Sequence, residues 1–261
     1  MSLVTSGDRP LRAVVFLVFI IAAWYTVTLA GRMGDVVRMP DGQTMGMIWM
    51  HMPGDSWIGP GSAFAAMWGV MMLAMMLPSA WPSISSFRQV AHARGEPWAG
   101  ALSLVMMSAY FLVWLAFGML AYGAGLALNS AAMLSPVVGR ALPIAAASGL
   151  VIAGLYQLTP WKMTCLTHCR DPLHFVTFRP GGGWREAVRL GVTQGELCVG
   201  CCWGLMLMQL VLGMASVPLI IGVAIVIAAE KLLPEPVIVA QGIGLVAVTI
   251  GVVLAVQAGL P

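Results

Sequence analysis

No charged side chain occurs between Trp98 and Asn129. A run this long and apolar calls for lipid as its solvent, because roughly 20 predominantly apolar residues cross a bilayer core as a self-satisfied helix. The pattern recurs along the chain. Leu11–Ala30, Gly61–Ala80, Trp98–Asn129, Ala141–Thr159, Ala187–Ala215, Val217–Leu233 and Val237–Leu260 predict seven membrane-spanning helices. The third is long enough to tilt or protrude, and Ser216-Val217-Pro218 predicts a tight turn between the fifth and sixth. Only 9% of the 261 residues are charged and 60% are hydrophobic, whereas a soluble domain is about 25% charged. The expectation is an all-α, polytopic helical bundle forming one transmembrane domain over residues 1–261. The first stretch exceeds a signal-peptide core and no small-x-small motif follows it, so it reads as a retained anchor.

Charge orients these helices. Arg9, Arg12, Arg88, Arg94, Lys162, Arg170, Arg179, Arg185, Arg189 and Lys231 fall on one side, leaving three of the 13 Lys and Arg residues (Arg32, Arg38 and Arg140) on the other. Cytoplasmic loops carry the Lys/Arg excess. A bacterial inner-membrane protein with its amino terminus in the cytoplasm and its carboxyl terminus outside is therefore expected. The net charge of +3 reports topology. There is no basic patch with interleaved aromatics, so nucleic acid is not an expected partner. Gly181-Gly182-Gly183 lacks the Lys-Ser/Thr of a phosphate loop and reads as a turn.

The fifth predicted span holds three of the five cysteines, in GELCVGCCWGLM, Gly195–Met206. At about 100° per residue, Cys201 lies about −60° and Cys202 about +40° from Cys198, with Gln194 at about −40°. All four share one stripe, and three thiols on a stripe can approach one ion. Thiolates are soft donors that suit Cu(I), Zn or iron–sulfur centres. The competing reading is packing, since cysteine behaves as a small hydrophobe. Gly195, Gly200 and Gly204 would let neighbouring helices come close. Glu196, an ionisable group inside a span, is a further candidate, although it points away from Cys198.

A second cluster lies in the expected cytoplasmic loop 160–186, in TPWKMTCLTHCRDPLHF, Thr159–Phe175. If residues 162–170 are helical, Cys165, His168 and Cys169 share a face at i, i+3 and i+4, and His174 follows. Idle, reduced thiols are the alternative. Disulfides are not expected: the count is odd and both clusters fall on the reducing side.

Methionine completes the soft-ligand inventory, with 20 residues. The expected outer loop, 32–60, contains Met50 and Met52 beside His51 as candidate captors. MWGVMMLAMMLPS sets Met67, Met71 and Met75 at i, i+4 and i+8, with Met72 and Met76 alongside. Thioethers suit Cu(I), while core packing is the plainer use of such a stripe. Pro78, Pro82 and Pro160 read as span ends, and Glu230-Lys231 as an interfacial ion pair. No constellation reads as catalytic, which points away from an enzyme.

MWGVMMLAMMLPS, YQLTPWKMTCLTHCRDP and GELCVGCCWGLM, followed by Glu230-Lys231, resemble a bacterial family of predicted metal-binding integral membrane proteins, catalogued as a domain of unknown function. The likeness covers about Ala65 to Leu233. It implies metal binding in a membrane setting. It also implies that His is frequent where this chain has Gln194, so this chain has one ligand fewer.

These readings converge on a membrane protein that binds a soft transition metal, copper favoured and zinc open, for transport or delivery. The metal would pass from the outer methionines through Met67, Met71 and Met75 to Cys198, Cys201 and Cys202, and then to Cys165, Cys169 and His168. A membrane or periplasmic protein partner fits such a role, with lipid around the bundle. Two other classes stay open: a scaffold or subunit of a larger complex whose cysteines only pack, and a thiol-based membrane oxidoreductase.

Overall fold

The structure, a computed structural model, describes residues 9–33, 36–38, 44–46, 58–171, 183–214 and 216–259. Eight helices account for nearly all of them: α1 Arg9–Met33, α2 Ile58–Ala93, α3 Ala99–Leu134, α4 Pro136–Gln157, α5 Pro160–Arg170, α6 Trp184–Gly213, α7 Val217–Leu232 and α8 Pro236–Gly259. The sole sheet among the described residues pairs β1 Val36–Arg38 with β2 Thr44–Gly46 antiparallel, Val37 opposite Met45. The all-α expectation holds.

Among the described residues six helices, rather than the expected seven, are long and apolar enough to cross a membrane. The shortfall is α7. It occupies the expected place, but at 16 residues it is about 24 Å long against a hydrocarbon core of about 30 Å. Pro218 near its start and the Leu233–Pro236 link after it fix that length. Lys231, near its end, meets Cys198 midway along α6. So α7 runs back along only the second half of α6.

The α2 helix also departs from expectation. Pro78 and Pro82 were expected to end it, yet it continues through both to Ala93. Neighbouring packing can compensate for proline in an apolar helix. The extension is also anchored. Phe87 packs with Leu102 and Met106 of α3 and Ala187 and Leu190 of α6 in a small second core. Pro160 does mark a boundary: α4 ends at Gln157, and Thr159 caps α5 by accepting from the Lys162 backbone N–H.

Small residues set the helix spacing. A Cβ on Gly191 would lie 2.3 Å from the Met106 carbonyl oxygen, and one on Gly195 would lie 2.8 Å from Val113 Cβ, so α6 lies directly on the α3 backbone. Gly154 and Gly244 bring α4 and α8 together in the same way. The main core holds the methionines of α2, the cysteines of α6 and Cys169 in one buried cluster. The outward faces of α1, α3 and α8 are apolar and exposed, among them Phe16, Trp24, Leu112, Leu120 and Ile238.

Candidate metal centre

The first part of the expected inner loop, α5, folds inward instead. One stripe of α5, Lys162, Leu166 and Cys169, is buried, and it packs against α6 and α7. This brings Cys169 to the cysteine face of α6. The sulfurs of Cys169, Cys198 and Cys201 all lie within 4.8 Å of one another, and all three residues are buried. Cys202 Sγ stands 3.3 Å from Cys201 Sγ. All five cysteines of the chain are free thiols.

This spacing suits a soft ion. Two sulfurs sharing one metal at about 2.3 Å each lie about 4 Å apart in a trigonal or tetrahedral arrangement. Small side-chain rotations would bring the three thiols to that distance. Gln194, buried on α6, donates to the Cys169 carbonyl at 3.2 Å and approaches its sulfur at 3.7 Å. It therefore orients Cys169. The Cys169 thiol, hydrogen-bonded by Cys198 and buried, is pushed up to about 11.

Two neighbours of the sulfurs were not expected at the site from sequence. Lys231 Nζ donates to Cys198 Sγ at 2.9 Å and to Ser79 Oγ at 3.3 Å. The Tyr110 hydroxyl of α3 lies 2.9 Å from Cys198 Sγ. Glu230 and Lys231 do not form the expected ion pair, because adjacent residues on a helix diverge by about 100°. Glu230 instead pairs with Lys162 of α5 at 2.5 Å, both fully buried, and Lys162 also donates to Gln157 of α4. Arg170 closes the network by donating to the carbonyls of Glu230 and Leu233 at 2.8 and 2.6 Å. The signal available in sequence was an ionisable pair at the end of an apolar helix, which is costly unless each member finds a partner.

The remaining candidates divide by place. Met67, Met71, Met72, Met75 and Met76 are all buried in the core that holds the cysteines, and Gln209 Nε2 donates to Met71 Sδ at 3.1 Å. Cys165 lies outside the thiol triad, and its sulfur would be 3.1 Å from a Cβ on Gly200. His168 is exposed, with Nδ1 2.7 Å from the Thr164 carbonyl oxygen. The structure thus splits the expected Cys165–His168–Cys169 face and delivers Cys169 alone to the α6 thiols. Glu196 is exposed, on the face of α6 away from the cysteines. His174, His51, Met50 and Met52 lie outside the described residues, as does most of the 32–60 segment.

A family model described as PpoB2, copper chaperone, matches residues 65–254. The chain belongs to this copper chaperone family. The matched region takes in both helices that supply the thiols, the α2 methionines and the Glu230–Lys231 pair; α1 and the 32–60 segment precede it. No curated protein and no solved structure matches the chain.

Proposed function

We propose that the protein binds Cu(I) at Cys169, Cys198 and Cys201, with Cys202 alongside, and delivers it within a bacterial inner membrane. The observation that carries this reading is the convergence of three buried, reduced thiols from two separate helices in a chain of the copper chaperone family. Thiolates favour Cu(I) among the ions available to such a site, and Zn(II) is the nearest competitor. Lys231 and Tyr110 supply positive charge and a hydroxyl to sulfurs that would otherwise bear negative charge unpaired in a low-dielectric interior.

The six long apolar helices and their apolar outward faces support membrane embedding. The Lys/Arg distribution supports a cytoplasmic amino terminus. In this arrangement the methionines of segment 32–60, with His51, meet the ion outside. Met67, Met71 and Met75, flanked by Met72 and Met76, offer exchangeable thioethers along α2. The thiol group retains the ion. Cys165 and His168, next to Cys169 on α5, stand on the inner side, where the ion would pass on to a recipient membrane protein.

Copper analysis of the purified full chain, loaded with Cu(I) under reducing conditions, tests the reading. About one ion per chain is expected, and it should be lost in the Cys169→Ser/Cys198→Ser/Cys201→Ser variant. Equal copper in the two proteins would overturn it.

A further inference from the structure

Lys231 does more at the thiol group than offset thiolate charge. A fixed cation beside a cation site also acts on the ion itself. Its ammonium is buried, lies 2.9 Å from Cys198 Sγ and 3.3 Å from Ser79 Oγ, and forms no salt bridge with a carboxylate among the described residues. The neighbouring carboxylate, Glu230, is occupied by Lys162, and that pair is neutral as a unit. Lys231 is thus the charge left over beside the sulfurs.

We infer that Lys231 is a selectivity determinant: it makes the thiol group discriminate by ionic charge, admitting monovalent soft ions over divalent ones of the same electron count. The physics is Coulombic. An ion held by Cys198 sits about 4–5 Å from the ammonium, and a doubly charged ion is repelled there by twice as much as a singly charged one. Sulfur ligands by themselves do not draw this distinction, because Cu(I) and Zn(II) both accept thiolates. A copper site made only of cysteine would therefore be open to zinc. The buried lysine adds the missing discrimination through charge, without requiring a particular coordination number. This rests on the reading of the thiols as a metal site.

Two isoelectronic pairs isolate the charge: Cu(I) with Zn(II), and Ag(I) with Cd(II). Competition titrations on the full chain in detergent would give the monovalent-over-divalent preference for each pair in the native protein, Lys231→Leu and Lys231→Arg. Lys231→Leu removes the charge and leaves Cys198 a neutral neighbour that offers no donor atom. Its preference should fall by at least about tenfold in both pairs, the direction set by removing one unit charge at this distance. Lys231→Arg keeps the charge and should keep the preference. A purely structural role would weaken all four ions alike, so an unchanged ratio in Lys231→Leu overturns the inference while leaving the metal site standing. Native protein that binds none of the four ions overturns both. Should Lys231→Leu fail to fold, Lys231→Gln takes its place with the same expected fall.

Discussion

The thiol end and the thioether end of the core share an interior and a soft donor element, yet their surroundings have little in common. Around Cys169, Cys198 and Cys201 stand an ammonium, a phenol, an amide and a buried Lys162–Glu230 pair. Met67, Met71 and Met75 lie in the apolar core on the helix that also carries Phe64 and Trp68, with Gln209 as a polar contact of Met71. A thiolate carries charge and needs compensation once buried, whereas a thioether is neutral and needs only packing. Under the proposed function the α2 and α6 helices would divide the work: one end would hold a charged complex, and the other would let a weakly held ion pass.

The sharpest way to break this contrast is to delete each donor set in turn. Cys198→Ser/Cys201→Ser should abolish Cu(I) retention after gel filtration. Met71→Leu/Met75→Leu should leave the bound copper near native and slow its loading, seen by stopped-flow transfer from a chelated donor. Equal loss in both would erase the distinction between the ends. A second test concerns stability. Glu230→Ala strands Lys162 as a buried, unpaired charge and should lower unfolding free energy by about 3–5 kcal/mol. Gln209→Leu at the thioether end should cost about 1 kcal/mol, in line with one neutral hydrogen bond. Denaturant unfolding in detergent reads both.

Protons give a third comparison. Cys169, with its thiol pushed up to about 11, is protonated at neutral pH, and an ion that binds it must displace that proton. Apparent Cu(I) affinity should therefore rise with pH through the neutral range, by up to about tenfold per unit. Cys169→Ser should flatten the slope, whereas Met71→Leu, which removes a donor with no proton, should leave it intact. A last comparison concerns Gln194. Its amide already reaches 3.7 Å from Cys169 Sγ, so Gln194→His would place an imidazole at the thiol group. A gain in Cu(I) affinity of about tenfold, within the range that neighbours of metal ligands contribute, is expected from competition titration; no gain would mean that the ring cannot turn toward the ion.

The sequence conveyed the α6 side of the site well, because helical periodicity alone puts Cys198, Cys201 and Cys202 on one stripe, and the structure buries all three. It also conveyed the helix positions, since long apolar runs admit few other conformations. Two things escaped it. Prolines 78 and 82 carry a strong local signal to stop, and the packing of Phe87 against α3 and α6 overrides it. The Cys169 contact is tertiary: it depends on α5 turning back into the bundle, and no spacing within Thr159–Phe175 distinguishes an inward helix from a loop helix. Cys165 and His168 share its motif but diverge from it in space. Lys231 was masked by Glu230, because two opposite charges side by side in sequence suggest each other as partners.

Arg170 gives the assembly a mechanical character. Its bonds to the carbonyls of Glu230, in the last turn of α7, and Leu233, just after it, fasten α5 to α7, and the Lys162–Glu230 pair fastens them again. One of these helices carries the sulfur that α6 lacks, and the other carries the cation, so the two form a single jaw closing on the cysteines of α6. Opening that jaw removes a sulfur and a positive charge in one stroke. Were an ion held there as proposed, the grip on it and its electrostatic surroundings would be coupled, and a recipient that pried α5 outward would meet an ion already half released.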